Sequence, residues 1–125
     1  MKQVTRDIDP DSALDLLERV PRACLSFASD HGPVVHPDGL RWQNRRCLGS
    51  LSGEVKPQPL PDQEGVLLVD EGIYYFDLRA IYIRGQVNTI ETPPDMPAGC
   101  TWFEVVPLKT VAWDYGMLRE VQDDR

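Results

Sequence analysis

Val66–Val87, VLLVDEGIYYFDLRAIYIRGQV, is the stretch whose reading decides the fold. It is the longest apolar, β-branched and aromatic run in the chain, broken once by Asp70-Glu71-Gly72. Side chains of these types suit a pleated, half-buried surface, and Asp-Glu-Gly is turn chemistry. The pattern predicts a short buried strand over Val66–Val69, a tight connection, and a long bent strand over Ile73–Val87. Phe76, Leu78 and Ala80 share one parity, with Asp77 and Arg79 opposed. Beyond Ala80 the apolar set becomes Ile81, Ile83 and Val87, opposed by Tyr82, Arg84 and Gln86. Side chains alternate across a strand, so a change of parity requires an extra residue or a bend. A β-bulge near Arg79-Ala80 is therefore expected, with Gly85 as a point of close backbone approach. A curved strand with two apolar faces points to a barrel rather than an open sheet.

Upstream, Asp9-Pro10-Asp11-Ser12 is a helix start, with Asp9 as N-cap, Pro10 at the first helical position and Ser12 as a second candidate cap. Ala13, Leu16, Leu17 and Val20 fall at helical spacing before Pro21, so a short amphipathic helix is expected to plug one end of the barrel. Arg22–Ser29 reads as a strand, with Leu25 and Phe27 opposing Cys24, Ser26 and Ala28. Asp30-His31-Gly32-Pro33 reads as a hairpin turn and Val34–Pro37 as the return strand. Asp38-Gly39 reads as a second turn or bulge before Leu40–Trp42, and Arg45–Leu51 as a third strand. Pro57, Pro59 and Pro61 exclude a regular helix from Lys56 to Pro61 within the loop Ser52–Gly65. Thr89–Gly99 is a second proline-rich excursion. Cys100–Pro107 is a further strand, and Lys109–Tyr115 a last short one.

The 125 residues are expected to form one domain, fraying over 1–8 and 120–125. The hydrophobic content of 42% and charged content of 26% are those of a soluble globular protein. A net charge of −7 disfavours nucleic acid and anionic membrane as partners. No segment is apolar enough to span a bilayer, and the N-terminus lacks a secretory signal pattern. Three widely spaced cysteines fit reduced thiols in the cytoplasm, with neither a disulfide frame nor zinc spacing. Against the acidic background, Arg41, Arg45, Arg46 and Lys56 face a single acid, Glu54, in their stretch of chain.

One N-terminal helix, a β-meander, Asp77–Val87 (DLRAIYIRGQV) and the closing Phe103–Tyr115 (FEVVPLKTVAWDY) together resemble the pyridoxamine 5'-phosphate oxidase-like FMN-binding split-barrel family. The opening Leu16–Pro37, the strand Arg79–Gly85, and Val106-Pro107 followed by Val111–Asp114 carry the likeness through their order. The resemblance implies a mainly β, antiparallel, Greek-key-like split barrel of six to seven strands with a short N-terminal helix. It also implies a homodimer with flavin at the subunit interface. FMN is the implied cofactor, with a deazaflavin as a variant, and the substrate is a small molecule. Mapped onto this chain, the family's phosphate grip falls on Arg45, Arg46, Ser50, Ser52 and Lys56. The ring neighbours fall on His36, Pro37, Leu48 and Gly49, with Trp113 as a further one from either subunit. The physical basis is that a phosphate dianion favours charge-assisted donors.

The chain departs from the family after its third strand, where Gly53-Glu54-Val55-Lys56 and the prolines replace a phosphate-binding helix start. Two readings follow. One is an FMN-dependent oxidoreductase, with no general acid or base residue identified; the other is a cofactor-free dimeric split barrel that binds small molecules or serves as an interaction domain. The bland reading of Arg45 and Arg46 is a solvated strand edge. For Arg79 it is an ion pair with Asp77 or an acid on a neighbouring strand. The tryptophans read as core or interface aromatics, and the cysteines as small buried hydrophobes.

Overall fold

The computed structural model describes the backbone of residues 2–117 and 119–122 and the side chains of residues 5–117. The strands are β1 (Lys2–Thr5), β2 (Asp7–Ile8), β3 (Arg22–Ser29), β4 (Gly32–Gln43), β5 (Arg46–Ser52), β6 (Gln63–Glu71), β7 (Arg79–Ile90), β8 (Cys100–Asp114) and β9 (Arg119–Gln122). A 3-10 turn at Pro10–Ala13 leads into α1 (Leu14–Arg19). Asp9 accepts a hydrogen bond from the Asp11 amide at 3.0 Å, and Pro10 occupies the first turn, so the start signal in the sequence is used as expected.

The six strands β8, β5, β4, β3, β6 and β7 are hydrogen-bonded in that order, and β7 pairs back onto β8, closing an antiparallel barrel. The extra strand β2 adds to β8. After the β3–β4–β5 meander the chain returns to place β6 beside β3, which is Greek-key connectivity. Leu25, Phe27, Leu67, Val69, Ile81, Ile83, Val87, Phe103 and Val105 fill the interior. Ala13, Leu16 and Leu17 of the helical segment enter the same core. Burying Leu16 and Leu17 contributes about 1.5–3 kcal/mol each, before ordering costs are subtracted. Arg79 secures the plug by forking onto Asp15 at 3.0 and 2.9 Å and donating to the Ser12 carbonyl at 3.1 Å. Its acid is thus on the helix, with Glu71 of neighbouring β6 the next nearest at 3.5 Å.

Several expectations are corrected. The chain between Gly72 and Leu78 is not strand: it is an exposed loop with a 3-10 turn at Tyr75–Asp77, and β7 begins at Arg79. The parity change near Ala80 is therefore the start of the strand, not a bulge. The irregularity of register lies between Arg84 and Gly85, where Arg84 faces Lys109 and Gly85 faces Pro107, leaving Leu108 as the extra residue of β8. A side chain at Gly85 would run into the Val106 carbonyl, so the close backbone approach expected there is real. Because the bulge absorbs Pro107 and Leu108, β8 runs unbroken where two strands were expected. Asp38-Gly39 is likewise no turn. Here β4 passes straight through and exchanges partners, pairing with β3 as far as Gly39 and with β5 from Gly39 onward.

The backbone of β1 pairs with that of β9, although fraying was expected at both ends. Residues 123–125 of the expected frayed tail lie outside the described residues, as do the side chains of 118–122.

Candidate functional site

The β-register sorts the candidate residues by face. His36 pairs with buried Leu25, and Leu40 pairs with Gly49, so His36 and Gly49 point into the barrel. On the outside, Arg22 pairs with Gly39, Gly39 with Ser50, and Ser50 with Trp102. Pro37 lies on this outer wall opposite Cys24, and Leu48 lies between Arg41 and Glu104. A side chain at Gly39 would come within 2.5 Å of Ser50 Oγ, so the bare glycine leaves room that the Ser50 hydroxyl itself occupies.

The five expected phosphate donors are spread along the whole of β5 rather than gathered. Arg45 lies with Asn44 in the two-residue turn between β4 and β5, both at positive φ (59° and 53°), the geometry of a twist-matched hairpin turn. Ser52 ends the strand and Lys56 follows in the next turn, where the Val55 amide donates to the Ser52 carbonyl at 3.1 Å. At about 3.3 Å per residue, Arg45 and Ser52 are roughly 20 Å apart, too far to share one phosphate. Pro37, Gly39, Ser50 and Ser52 do share one end of the wall. Trp113 is at the far end of β8, packed on Tyr82 with ring centroids 5.4 Å apart, and does not join them.

Two of the four clustered cations are already engaged. Arg46 forks onto Glu104 at 3.0 and 2.7 Å, and Arg41 onto Asp95 at 3.0 and 2.7 Å. The first pair spans β5 and β8; the second pins the proline-rich excursion 91–99 over the wall. Each pairing raises the pKa of its arginine and lowers that of its acid. Arg45 and Lys56 are exposed and make no ion pair among the described residues. The proline-rich loop after β5 is ordered by its own contacts and by one to the 91–99 excursion. Gly53 donates to the Gly99 carbonyl at 3.0 Å, and Gln58 Nε2 to the carbonyls of Ser52 and Val55 at 3.1 and 2.8 Å. Between that loop and the end of β3 lies a cavity of about 310 Å³ lined by Phe27, Asp30, Pro57, Gln58, Leu60 and Gln63.

Sequence reasoning missed Asp38. It is only 6% exposed, faces inward, and neither carboxylate oxygen has a hydrogen-bond partner. Burial raises its pKa from 3.8 to about 7. Gly49 makes room for it, since a β-carbon there would lie 2.7 Å from Asp38 Oδ2 and would also meet Phe103. The thiol of neighbouring Cys47 is pushed up to about 12 by burial and by the charges of Asp38 and Glu104, so it is unreactive. Cys24 and Cys100 are exposed, contrary to the expectation of buried thiols. His36 has an orphan too: its Nε2 is buried without a partner, and its ring tilts against Phe27 at 6.3 Å. Only the Asp-Gly pair signalled this region in the sequence, and it signalled a turn.

A closed antiparallel barrel entered through a Greek key, plugged by a short helix and bearing this polar outer wall, is a split β-barrel. The chain shares that fold with solved flavoprotein structures. An FAD-binding protein from Mycobacterium smegmatis superposes with a TM-score of 0.69 at 16% identity, over 88% of this chain and 99% of that one. An FAD-binding protein from Mesorhizobium loti gives 0.65 at 13% identity, over 98% and 100%. A candidate pyridoxamine 5'-phosphate oxidase from Corynebacterium glutamicum gives 0.65 at 11% identity, over 91% and 96%. No protein-family model and no curated protein sequence matches the chain. No described helix is long and apolar enough to cross a membrane.

Proposed function

We propose that this chain is a homodimeric, flavin-binding split-barrel oxidoreductase acting on a small molecule in the cytoplasm, with FMN as its cofactor. The observation that carries this reading is the outer wall at the Ser52 end of β5. There, the hydroxyls of Ser50 and Ser52 and the uncommitted ammonium of nearby Lys56, beside Pro37 and the bare backbone of Gly39, make a donor set suited to a phosphate dianion. Arg46, with its fork held by Glu104, is not part of that set, and Arg45 lies at the opposite end of the strand. Likeness of fold to proteins named for FAD binding supports the same reading.

In this scheme Ser50, Ser52 and Lys56 hold the phosphate and exposed Pro37 offers an apolar surface to the ring, whereas Leu48, only 6% exposed, is covered and does not. A bound flavin supplies hydride-transfer chemistry; the chain binds it, orients it and excludes water. The donors and ring neighbours on one barrel leave the far side of such a ligand uncovered, which favours a second subunit.

A second reading, a cofactor-free dimeric binder, is favoured by one observation: the pairing of Arg41 and Arg46 removes half of the basic cluster from service.

The absorption spectrum of the purified protein and an FMN titration separate the two. The expected outcome is a flavin band near one equivalent per subunit, with binding weakened in Lys56→Ala by roughly 1.5–3 kcal/mol, the scale of a charged hydrogen bond. A colourless protein that ignores both FMN and a deazaflavin would overturn the oxidoreductase reading. Unchanged affinity in Lys56→Ala together with loss in Arg45→Ala would move the phosphate to the other end of β5.

A further inference from the structure

The loop between β6 and β7 displays four consecutive large apolar side chains to solvent: Ile73 at 89% exposure, Tyr74 at 62%, Tyr75 at 72% and Phe76 at 69%. The loop is held firmly. The Tyr74 amide donates to Asp77 Oδ1 at 2.8 Å, and the Asp77 amide returns to the Tyr74 carbonyl at 3.1 Å. The Tyr115 amide donates to the Leu78 carbonyl at 2.9 Å, tying the loop to the end of β8. Tyr74 and Phe76 stack with an interplanar angle of 3° and centroids 5.4 Å apart, while Tyr75 meets Tyr115 edge-on at 4.8 Å. Gly72, at φ +131°, makes the turn that launches the loop. An apolar knuckle so fully pre-organised, yet uncovered, marks an interaction surface.

We propose that this knuckle docks onto a second copy of the chain. Its receptor is the groove on the partner's outer wall between Val20, Cys24, Pro37 and Leu68. The proposal rests on the homodimer reading above and names the surfaces that make the dimer. Three observations select a second copy as the occupant. The groove holds about 260 Å³, has an apolar floor of Val20, Ala23, Pro37 and Leu68, and carries Arg22 and Asp70 as its charged side chains. Arg22 makes no ion pair among the described residues, and the knuckle brings Asp77 to meet it, an opposite-charge pair set against one like charge, Asp70.

Area is the second observation. Three aromatic rings and one isoleucine exposed to this degree offer roughly 500 Å² per copy, so the two knuckles of a two-fold arrangement bring about 1,000 Å², the lower bound for a specific interface. Third, Asp70, Glu71 and Asp77 surround the knuckle in a chain of net charge −7, which is the wrong sign for an anionic membrane. The groove opens on the β3–β6 side of Pro37, whereas the proposed phosphate donors lie on its β5 side. Knuckle and cofactor would therefore be neighbours that meet at Pro37.

The test is sedimentation equilibrium of the full chain, with and without Ile73→Ser/Phe76→Ser, alongside a cross-link. Both substituted side chains are exposed, so the melting temperature is expected to stay unchanged while the dimer dissociation constant rises at least about 100-fold, as for loss of interface anchors. In Phe76→Cys/Cys100→Ser, diamide, which accepts two electrons and two protons, is expected to join the introduced thiol of one copy to Cys24 of the other as a dimer on a non-reducing gel. Adding Cys24→Ser should abolish that band. A wild-type dimer that persists unweakened in the serine variant, with no Cys24-dependent band, overturns the knuckle while leaving the homodimer in place. A wild-type chain that sediments as the 14.2 kDa monomer at micromolar concentration overturns both.

Discussion

Asp38 and the knuckle Ile73–Phe76 both invert the usual partition of polar and apolar groups, but in opposite directions. Inside the barrel, a carboxylate is sealed among Ala23, Gly49 and Phe103 with no donor for either oxygen. Outside, four large apolar side chains stand in water on a loop whose backbone is well hydrogen-bonded. The first inversion strains the single chain, because an unpaired charge in a low-dielectric interior has nothing to replace its lost water. The second costs the single chain little, because exposed apolar surface is equally exposed when the chain unfolds. One should therefore report through pH and folding, the other through concentration and assembly. That contrast can be broken at several points.

The largest effect is expected at Asp38. Its carboxyl titrates near 7 in the folded state against 3.8 unfolded, so the folded chain holds the proton more tightly. Its contribution to stability is then fully present below about pH 4, declines as pH rises from 4 to 7, and is lost above 7. The rise from 3.8 to about 7 corresponds to roughly 4 kcal/mol as a ceiling. Asp38→Asn removes the titration. Denaturant unfolding should show the variant more stable than wild type at pH 9 by up to that amount, and within about 1 kcal/mol of it at pH 4. A wild-type stability that stays flat from pH 5 to 9 would show that the carboxylate is satisfied after all, and the contrast would fail on its interior side.

Gly49→Ala presses on the same spot sterically. The new methyl would meet the Phe103 ring and come within 2.7 Å of Asp38 Oδ2. Overpacking of this kind costs about 1–3 kcal/mol. Combining it with Asp38→Asn sharpens the point: the two effects should be non-additive, since they share one pocket.

A smaller effect belongs to Asp15, where a carboxylate of the opposite kind has ample partners. The Arg79 guanidinium, followed by Arg19, holds its carboxyl well below the usual carboxylate range. Its contribution is present at neutral pH and is lost as pH falls below about 4, the reverse of Asp38. The site is 41% exposed, so solvent screening limits Asp15→Asn to about 0.5–1 kcal/mol near pH 7, read from the same unfolding curves. Acid should therefore favour the barrel interior and loosen its helical plug.

The sequence announced the barrel because barrels are written in alternation. Arg22–Ser29 alternates imperfectly yet reads as a strand, and β3 spans those residues; the Asp9-Pro10 start and the Leu16-Leu17 plug were equally legible, since capping and helical spacing are local. What failed was the distinction between apolar and buried. Ile73–Phe76 has strand-like composition, and nothing local says that the sheet ends at Glu71 and resumes at Arg79. Asp38-Gly39 has turn-like composition, yet pairing with β3 on one side and β5 on the other keeps it straight. The basic cluster was visible as a composition, but its acids, Glu104 and Asp95, come from more than fifty residues away and were not. Which cations are left for a ligand is thus a property of the register, not of any stretch read alone.

The smallest folding effect is expected where the apolar exposure is greatest. Ile73→Ser/Phe76→Ser removes two large hydrophobic side chains, a change that in a barrel interior would cost several kcal/mol. Here the loop keeps its Tyr74–Asp77 hydrogen bonds and its Leu78–Tyr115 bridge, and only the Tyr74–Phe76 stack is lost. Substitutions at such exposed positions stay within about 0.5 kcal/mol. The measurement must be made at a concentration low enough for the wild type to be monomeric, because a dimer adds stability by mass action and would hide the equality. Under those conditions the two unfolding curves should coincide, and they should separate as concentration rises, the wild type gaining and the variant not. A variant destabilised by several kcal/mol even in the dilute limit would mean that these side chains are packed within their own subunit, leaving no apolar surface for a partner to cover.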